Sequence, residues 1–455
     1  MAGYMKSAVV SAHLDALASS YPTLCTRSAS GDWKPGWAGA TSGYLKIGVT
    51  TAASPSQRWA VLITGGVHAR ELAPPDSLVS FLEKLLAAYA GSSAITYPSW
   101  TDPVAGIVYD SFTIPWPWVR KAVESLDIYV VPLVNDDGRD YVLATLPNPV
   151  QYDQQSQAKL WRKNRRPAPS GVTDPNGIGV DLNRNFDVVW NFPDFYNMSL
   201  SDVDVHSSTN PLDYSYIGPS AESEPETQNV ANLMRAKDIS YFLDVHAYSR
   251  DVLYSWGTET DQSTDQNMTF TNQATWKSKR DGTHESGYAE YIPAITAKTL
   301  EAAAQHISDQ ILAKAGGSSP NAQARSTYTV KQSAALYVTT GASDDYCFSR
   351  WFAPATGGAA ISPVQAFTLE AGGDPADGAD HDEGRFTPNY VNHYPKLERE
   401  IHVAAWTFLS MAAGTNFVQP EAPPPPAGSG SGCRSSAASV LIVLVVLIAA
   451  LVMLR

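Results

Sequence analysis

The sequence predicts an α/β fold: three layers, with a central twisted, mostly parallel or mixed sheet and helices on both faces. Three observations lead there. Short apolar runs alternate with segments of helical periodicity from residue 1 to about 415. The apolar runs are near-continuous rather than alternating, as in strands buried on both faces. The residues with chemistry, His68, Asn135, His246 and Glu370, fall at the ends of such runs, and open α/β sheets gather their sites at the carboxyl ends of strands.

Taken in order, Val10, Leu14, Leu17 and Tyr21 lie at helical spacing, so the chain opens on an amphipathic helix. Met1 to Leu24 shows no basic stretch followed by an apolar core, and no signal peptide is expected. Trp59 to Thr64 reads as a buried strand. A helix follows from near Pro74-Pro75-Asp76, with Leu78, Phe81, Leu82 and Leu85 on one stripe. Asp127 to Val134 is a second strand, closed by a turn at Asn135-Asp136-Asp137-Gly138. Helices are expected at Glu224–Lys237, Ile295–Ala315 and Lys396–Met411, and strands at Tyr241–His246 and Val364–Leu369, the latter ending at Glu370. Val188–Asp213 and Thr258–Tyr291 are polar and weakly periodic and read as long loops rimming a site. Asp374–Gly384 is an acidic loop, read as a solvated one.

Beyond the closing helix the composition changes. Pro423 to Pro426 and a Gly/Ser stretch make 416–439 a linker, and 440–455 an apolar tail. Its run from Val440 to Leu454 is short for a span of about 20 residues but fits an anchor or sorting signal. We therefore expect one globular domain, 1–415, possible membrane association through 440–454, and an extracellular or cell-surface location. The 45 acidic against 32 basic residues, a net charge of −13, argue against nucleic acid as partner. Three cysteines, Cys25, Cys347 and Cys433, provide neither a disulfide framework nor a Cys-x-x-Cys zinc site.

The strand Trp59–Thr64 runs into Gly65-Gly66-Val67-His68-Ala69-Arg70-Glu71. His68 offers an imidazole nitrogen and Glu71 a carboxylate, two of the ligands a catalytic zinc needs when one position stays open. His246, at the end of its own strand, completes a His, Glu, His set, and reaches it through the fold rather than through a local motif.

With these residues in place, roughly residues 4–413 resemble the zinc carboxypeptidases of the pancreatic A and B type, closest to the B type at the pocket position. The resemblance implies one Zn2+ per chain held by His68, Glu71 and His246, with Asp181 of Val180-Asp181-Leu182-Asn183-Arg184 orienting the first histidine. It implies Glu370 as general base for the attacking water and Arg162, in Trp161-Arg162-Lys163, as stabiliser of the oxyanion. Asn183 and Arg184 would grip the substrate's terminal carboxylate, a task that suits a planar guanidinium. Arg70 would assist at that subsite, and Tyr337 matches a tyrosine that closes on substrate. Asp344 matches the residue at the base of the side-chain pocket. An acidic group there implies a preference for C-terminal Lys or Arg, with Gly257 leaving the neighbouring wall uncharged.

The partners implied are the C-termini of peptides or proteins, and the chain would act as a monomer. Two departures from the family pattern concern the pocket: Tyr346 stands where a tryptophan is usual, and the spacer from Asn185 to Tyr216 is long. Alternatives are a non-catalytic peptide-binding protein on the same fold, and a carboxypeptidase with A-type or broad preference. Trimming of polyglutamate side chains is disfavoured, because Asp344 would repel a glutamate tail.

Overall fold

The computed structural model describes residues 3–29, 31–52, 54–55, 58–145, 161–200, 203–283, 287–352, 364–373 and 386–414. The acidic stretch 374–384, the linker 416–439 and the tail 440–455 lie outside the described residues. The described fold falls within the first of two units, Met1–Ala422 and Pro423–Arg455. Among the described residues, no helix is long and apolar enough to cross a membrane.

A single eight-stranded sheet organises the chain. Its strands are β1 (Cys25–Arg27), β2 (Leu45–Ile47), β3 (Trp59–Gly65), β4 (Leu126–Val131), β5 (Tyr241–His246), β6 (Asp251–Tyr254), β7 (Thr329–Gln332) and β8 (Gln365–Glu370). They lie in the order β1-β2-β4-β3-β5-β8-β6-β7. The four central strands β4, β3, β5 and β8 are mutually parallel, whereas β2 and β6 join them antiparallel. The sheet is mixed, as expected, with a parallel centre. Every residue of β5 and all of β3 but Trp59 are buried, which explains why these strands read as unbroken apolar runs.

Helices surround the sheet. Those of ten residues or more are α1 (Ser7–Ser20), α2 (Ala73–Ala90), α3 (Trp116–Ser125), α4 (Asp136–Thr145), α5 (Pro225–Ala236), α6 (Ala294–Ala315), α7 (Ser343–Phe352) and α8 (Tyr394–Ala413). Strand alternation assigns each face a partner. Odd-numbered residues of β5 and β8 meet α8: the Tyr241 and Phe367 rings lie 6.1 and 6.0 Å from that of Phe408. Even-numbered ones meet α7: Asp244 accepts a hydrogen bond from Ser343 at 2.6 Å, and Thr368 donates one to Asp344 at 3.2 Å. Asp244, His246, Thr368 and Glu370 therefore share one face, the face that carries the chemistry. The α2 stripe of Leu78, Phe81, Leu82 and Leu85 is buried, with Phe81 5.2 Å from Trp406 of α8.

Three expectations are corrected. Asn135–Gly138 is the start of α4, not a free turn. The Asn135 side chain accepts from the Gly138 N–H at 3.0 Å, and Asp136 and Asp137 occupy the first turn, where carboxylates meet the positive end of the helix dipole. The strand before it stops at Val131, because Pro132 has no N–H to continue the ladder. Thr258–Tyr291 is partly ordered into a short parallel pairing of Asp261–Gln262 with Glu290–Tyr291. Among the described residues it adds none to the cleft described below, whereas Val188–Asp213 adds His206 and Leu212.

Candidate metal centre and substrate cleft

His68 follows β3 through Gly66, whose φ of +63° suits glycine, and a Cβ there would stand 2.7 Å from Pro75 and 2.8 Å from Leu133. His246 ends β5, adjacent in the sheet. The fold thereby brings His68, Glu71 and His246, all buried, into one group whose ligand atoms lie within 4.8 Å of one another. The two Nδ1 atoms are 3.2 Å apart. Glu71 reaches His68 Nδ1 at 2.5 Å through Oε1 and His246 Nδ1 at 3.1 Å through Oε2. Tetrahedral zinc with bonds of about 2.0–2.1 Å sets its ligand atoms about 3.3 Å apart. Two imidazole nitrogens this close cannot both carry protons, and as bare lone pairs they repel unless a cation sits between them. The Nδ1–Nδ1 and Glu71–His246 separations of 3.2 and 3.1 Å lie near that tetrahedral value, and the Glu71–His68 contact of 2.5 Å is shorter. The donor set fits a metal by its chemistry and by two of its three spacings.

The outward-facing nitrogens are steered by carboxylates. Asp181 Oδ1 lies 3.3 Å from His68 Nε2, and Asp244 Oδ2 lies 3.0 Å from His246 Nε2; both contacts are close but imperfectly aligned as hydrogen bonds. Such carboxylates fix the tautomer that turns Nδ1 towards a metal. Asp181 was expected in this position; Asp244 was not singled out, although it stands two residues before His246 on the same strand face. Thr64 and Ser343 hold its other valences at 2.7 and 2.6 Å. Burial alone would push the Glu71 carboxyl up, but His68 and His246 carry it well below the usual range. Burial would likewise depress His246, yet Asp244 and Glu71 raise it well above the ordinary value. A metal must displace that proton, so its affinity falls as the pH falls.

Glu370 ends β8 in register with His246. Burial pushes its carboxyl up to about 8, His246 draws it down, and Glu71 raises it again. A divalent cation beside it acts in the same direction as His246, towards the ionised form. Arg162 donates from Nε to Asp181 Oδ2 at 2.8 Å, so a single aspartate links the guanidinium to His68. Burial lowers the Arg162 pKa, and Asp181, Tyr337 and Glu71 together more than restore it, leaving it raised. Asn135, grouped with the strand-exit residues, does not face the cleft. Its amide donates to the carbonyls of Val67 and Lys163 at 3.1 and 3.2 Å, and so braces the backbone beside both His68 and Arg162.

A cleft of about 650 Å³ opens at this end of the sheet, lined by Arg70, Trp161, Arg162, Lys163, Asn176, Arg184, His206, Leu212, Tyr214 and Tyr337. It gathers the expected Arg70, Arg162, Arg184 and Tyr337. Burial, then Arg162, pulls Arg70 down to about 10, and its guanidinium lies 3.9 Å from the centre of the Phe386 ring. Arg184 is oriented by donating to the carbonyls of His206 and Asn183, each at 2.7 Å. The Asn183 side-chain oxygen accepts from the Ser343 N–H at 2.8 Å; Asn183, next to Arg184 in the chain, is not among the residues that line the cleft.

Asp344 does not line this cleft. It is buried behind it, accepting from Ser333 and Thr368 at 3.1 and 3.2 Å, and burial raises its carboxyl. Lys163, Tyr214 and His206 were not anticipated as cleft residues. Lys163 Nζ donates to the carbonyls of Asn176 and Pro211 at 2.7 and 2.8 Å and is pushed down to about 8 by burial. Its contact with Pro211 anchors the loop that carries Tyr214 to the mouth. A second cavity of about 650 Å³, lined by residues that include Trp118, Lys298 and His306, holds none of these groups.

A profile described as zinc carboxypeptidase matches residues 10–379. The chain is 28% identical to human carboxypeptidase B over 255 residues, 56% of this chain and 47% of that protein. It is 29% identical to human carboxypeptidase O over 216 residues, 47% of this chain and 43% of that protein. It thus spans about half the length of the curated relatives it matches. Two crystal structures share the fold. That of thrombin activatable fibrinolysis inhibitor has a TM-score of 0.59 at 17% identity, covering 90% of this chain and 75% of its own. That of carboxypeptidase A from Helicoverpa armigera has 0.56 at 18%, covering 90% and 74%. The profile covers most of the chain, and the described residues provide the His-Glu-His group that one zinc ion requires; the chain belongs to the zinc carboxypeptidase family.

Proposed function

We propose that this chain is a zinc-dependent exopeptidase that removes the C-terminal residue of peptides or proteins, with preference for Lys or Arg. The observation that carries the reading is the convergence of His68, Glu71 and His246, beside Glu370 and beneath a cleft lined by Arg70, Arg162 and Arg184. Zinc held by those three side chains would lower the pKa of its water to about 7 and polarise the scissile carbonyl.

The protein's own groups do the rest. Glu370 takes the proton of the attacking water and returns it to the leaving amine. Arg162, fixed by Asp181, faces the oxyanion that develops on the carbonyl. Arg184 and the Asn183 amide bind the terminal carboxylate, Arg70 adds charge at the rim, and Tyr337 covers the bound residue. A residue with a free carboxylate is thereby distinguished from an internal one.

The Lys/Arg preference rests on the match of Asp344 to the residue at the base of the family's side-chain pocket; its carboxyl lies outside the lined cleft and accepts from Ser333 and Thr368. Burial raises that carboxyl, and a cationic guest nearby would favour its ionised form. An apolar guest offers it no opposite charge. The sequence 440–455 supports an anchoring or sorting tail on a 416–439 linker, hence an extracellular or cell-surface location for a chain acting on peptide C-termini. Peptides that differ only in the last residue, assayed with and without chelator, test the reading. Release of Arg or Lys should exceed that of Phe or Leu in kcat/KM and stop on chelation; the reverse order removes the preference, and no release of any terminal residue removes the exopeptidase.

A further inference from the structure

His206 sits in the long segment between Asn185 and Tyr216, yet its side chain enters the cleft beside Arg184 and Tyr337. Its ring stacks on that of Tyr337, with centroids 4.7 Å apart and planes inclined at 27°. On the backbone, the His206 N–H donates to the Val338 carbonyl at 2.8 Å, and its own carbonyl accepts from Arg184 Nε at 2.7 Å. The next residue continues the clamp: Ser207 Oγ accepts from the Thr340 N–H at 3.2 Å and hydroxyl at 2.9 Å. The Arg184 guanidinium lies 6.0 Å from the Tyr337 ring centre, and the Tyr337 phenol is near enough to Arg162 to raise its pKa. The tyrosine ring thus stacks on an imidazole and lies near a guanidinium, the two joined through the His206 carbonyl.

We propose that His206 is a positioning residue: by stacking on Tyr337 and bonding Arg184, it holds both in the geometry that receives the substrate's terminal residue. This rests on the exopeptidase reading for its consequence in turnover, but not for its geometry. Its backbone contacts survive substitution, so His206→Ala removes the ring while keeping the clamp. An offset aromatic pair accounts for a factor of about three to ten. KM for N-benzoyl-Gly-Arg should rise about three- to tenfold in His206→Ala with kcat changed less than about twofold. His206→Phe, which keeps a stacking ring, should restore KM. In a Tyr337→Ala background His206→Ala should add little, because the partner is already gone.

A second readout needs no turnover. Tetranitromethane should nitrate Tyr337 faster in His206→Ala than in the parent or in His206→Phe, followed by peptide mass spectrometry on the zinc-loaded protein with thermal unfolding as the check on folding. A parent that releases no terminal residue overturns the exopeptidase reading and leaves the nitration result to decide the positioning one. Equal nitration of the parent and His206→Ala, KM effects that add with Tyr337→Ala, or His206→Phe as impaired as His206→Ala would each overturn the role of His206. A His206→Ala protein that does not fold shifts the decision to His206→Phe against His206→Leu, of which the first alone should match the parent.

Discussion

At the scale of single residues, the centre is governed by which groups carry protons and what holds them. Asp244 makes the clearest case. It touches no substrate, yet it stands 3.0 Å from His246 Nε2 and is itself held by Thr64 and Ser343. A carboxylate behind a ligand histidine raises the basicity of the ligating nitrogen, and its loss costs about 10- to 100-fold in metal affinity. Asp244→Asn should therefore weaken zinc binding by about that factor in a chelator competition. Glu370→Gln behaves in the opposite sense. The amide is isosteric and lies outside the His-Glu-His group, so zinc should stay bound one to one by elemental analysis while turnover falls by about 10²- to 10⁴-fold. Zinc lost from Glu370→Gln, or retained at full affinity by Asp244→Asn, would reverse these assignments.

At the scale of elements, α8 shows how burial sets a proton on the supporting scaffold. His402 lies in its middle, with Nε2 2.7 Å from the Ser77 carbonyl on α2 and Nδ1 3.0 Å from the Tyr97 hydroxyl. The neutral tautomer with a proton on Nε2 satisfies both contacts. Burial depresses this histidine from 6.5 to about 4. The unfolded chain then binds the proton more readily, so the neutral histidine's contribution is complete above pH 6.5 and is lost as the pH falls towards 4. The separation corresponds to at most about 3 kcal/mol. Buried carboxyls raised by burial, Asp136 to about 7 and Glu226 to about 8, act with the opposite sign, so the test is a difference. The gap in Tm between the parent and His402→Gln should narrow as pH falls from 6.5 to 4; a constant gap would show that His402 does not titrate between folded and unfolded states. Most elements were legible because burial leaves a periodic trace: unbroken apolar runs for β3 and β5, one stripe for α2. The start of α4 was misread as a turn because Asn-Asp-Asp-Gly suits both a turn and a capped helix terminus, and only the fate of the following residues separates the two. His206 left no trace at all. Its role comes from a ring that meets Tyr337 across 131 positions, and no local pattern records that.

At the scale of the whole molecule, the candidate centre joins segments that are distant along the chain. His68 and Glu71 follow β3, while His246 ends β5, and these strands pair in parallel register at the centre of the sheet. The ligand types and their strand-exit positions were readable in the sequence, since both are local; the separation of their atoms was not, since it depends on strand order. An ion bound to all three has no equivalent site in the unfolded chain, so its binding free energy becomes stability. At free zinc about 1,000-fold above its Kd this amounts to about 4 kcal/mol. For a domain of about 400 residues, an unfolding entropy of about 2.1 cal/mol/K per residue makes one kcal/mol move Tm by about 1 °C, so chelation should lower Tm by about 5 °C. His246→Ala should unfold at the same temperature with and without chelator, because it has no complete site to lose. If that variant keeps the full chelator-dependent shift, the stabilising ion is bound elsewhere, and His68, Glu71 and His246 are not its ligands.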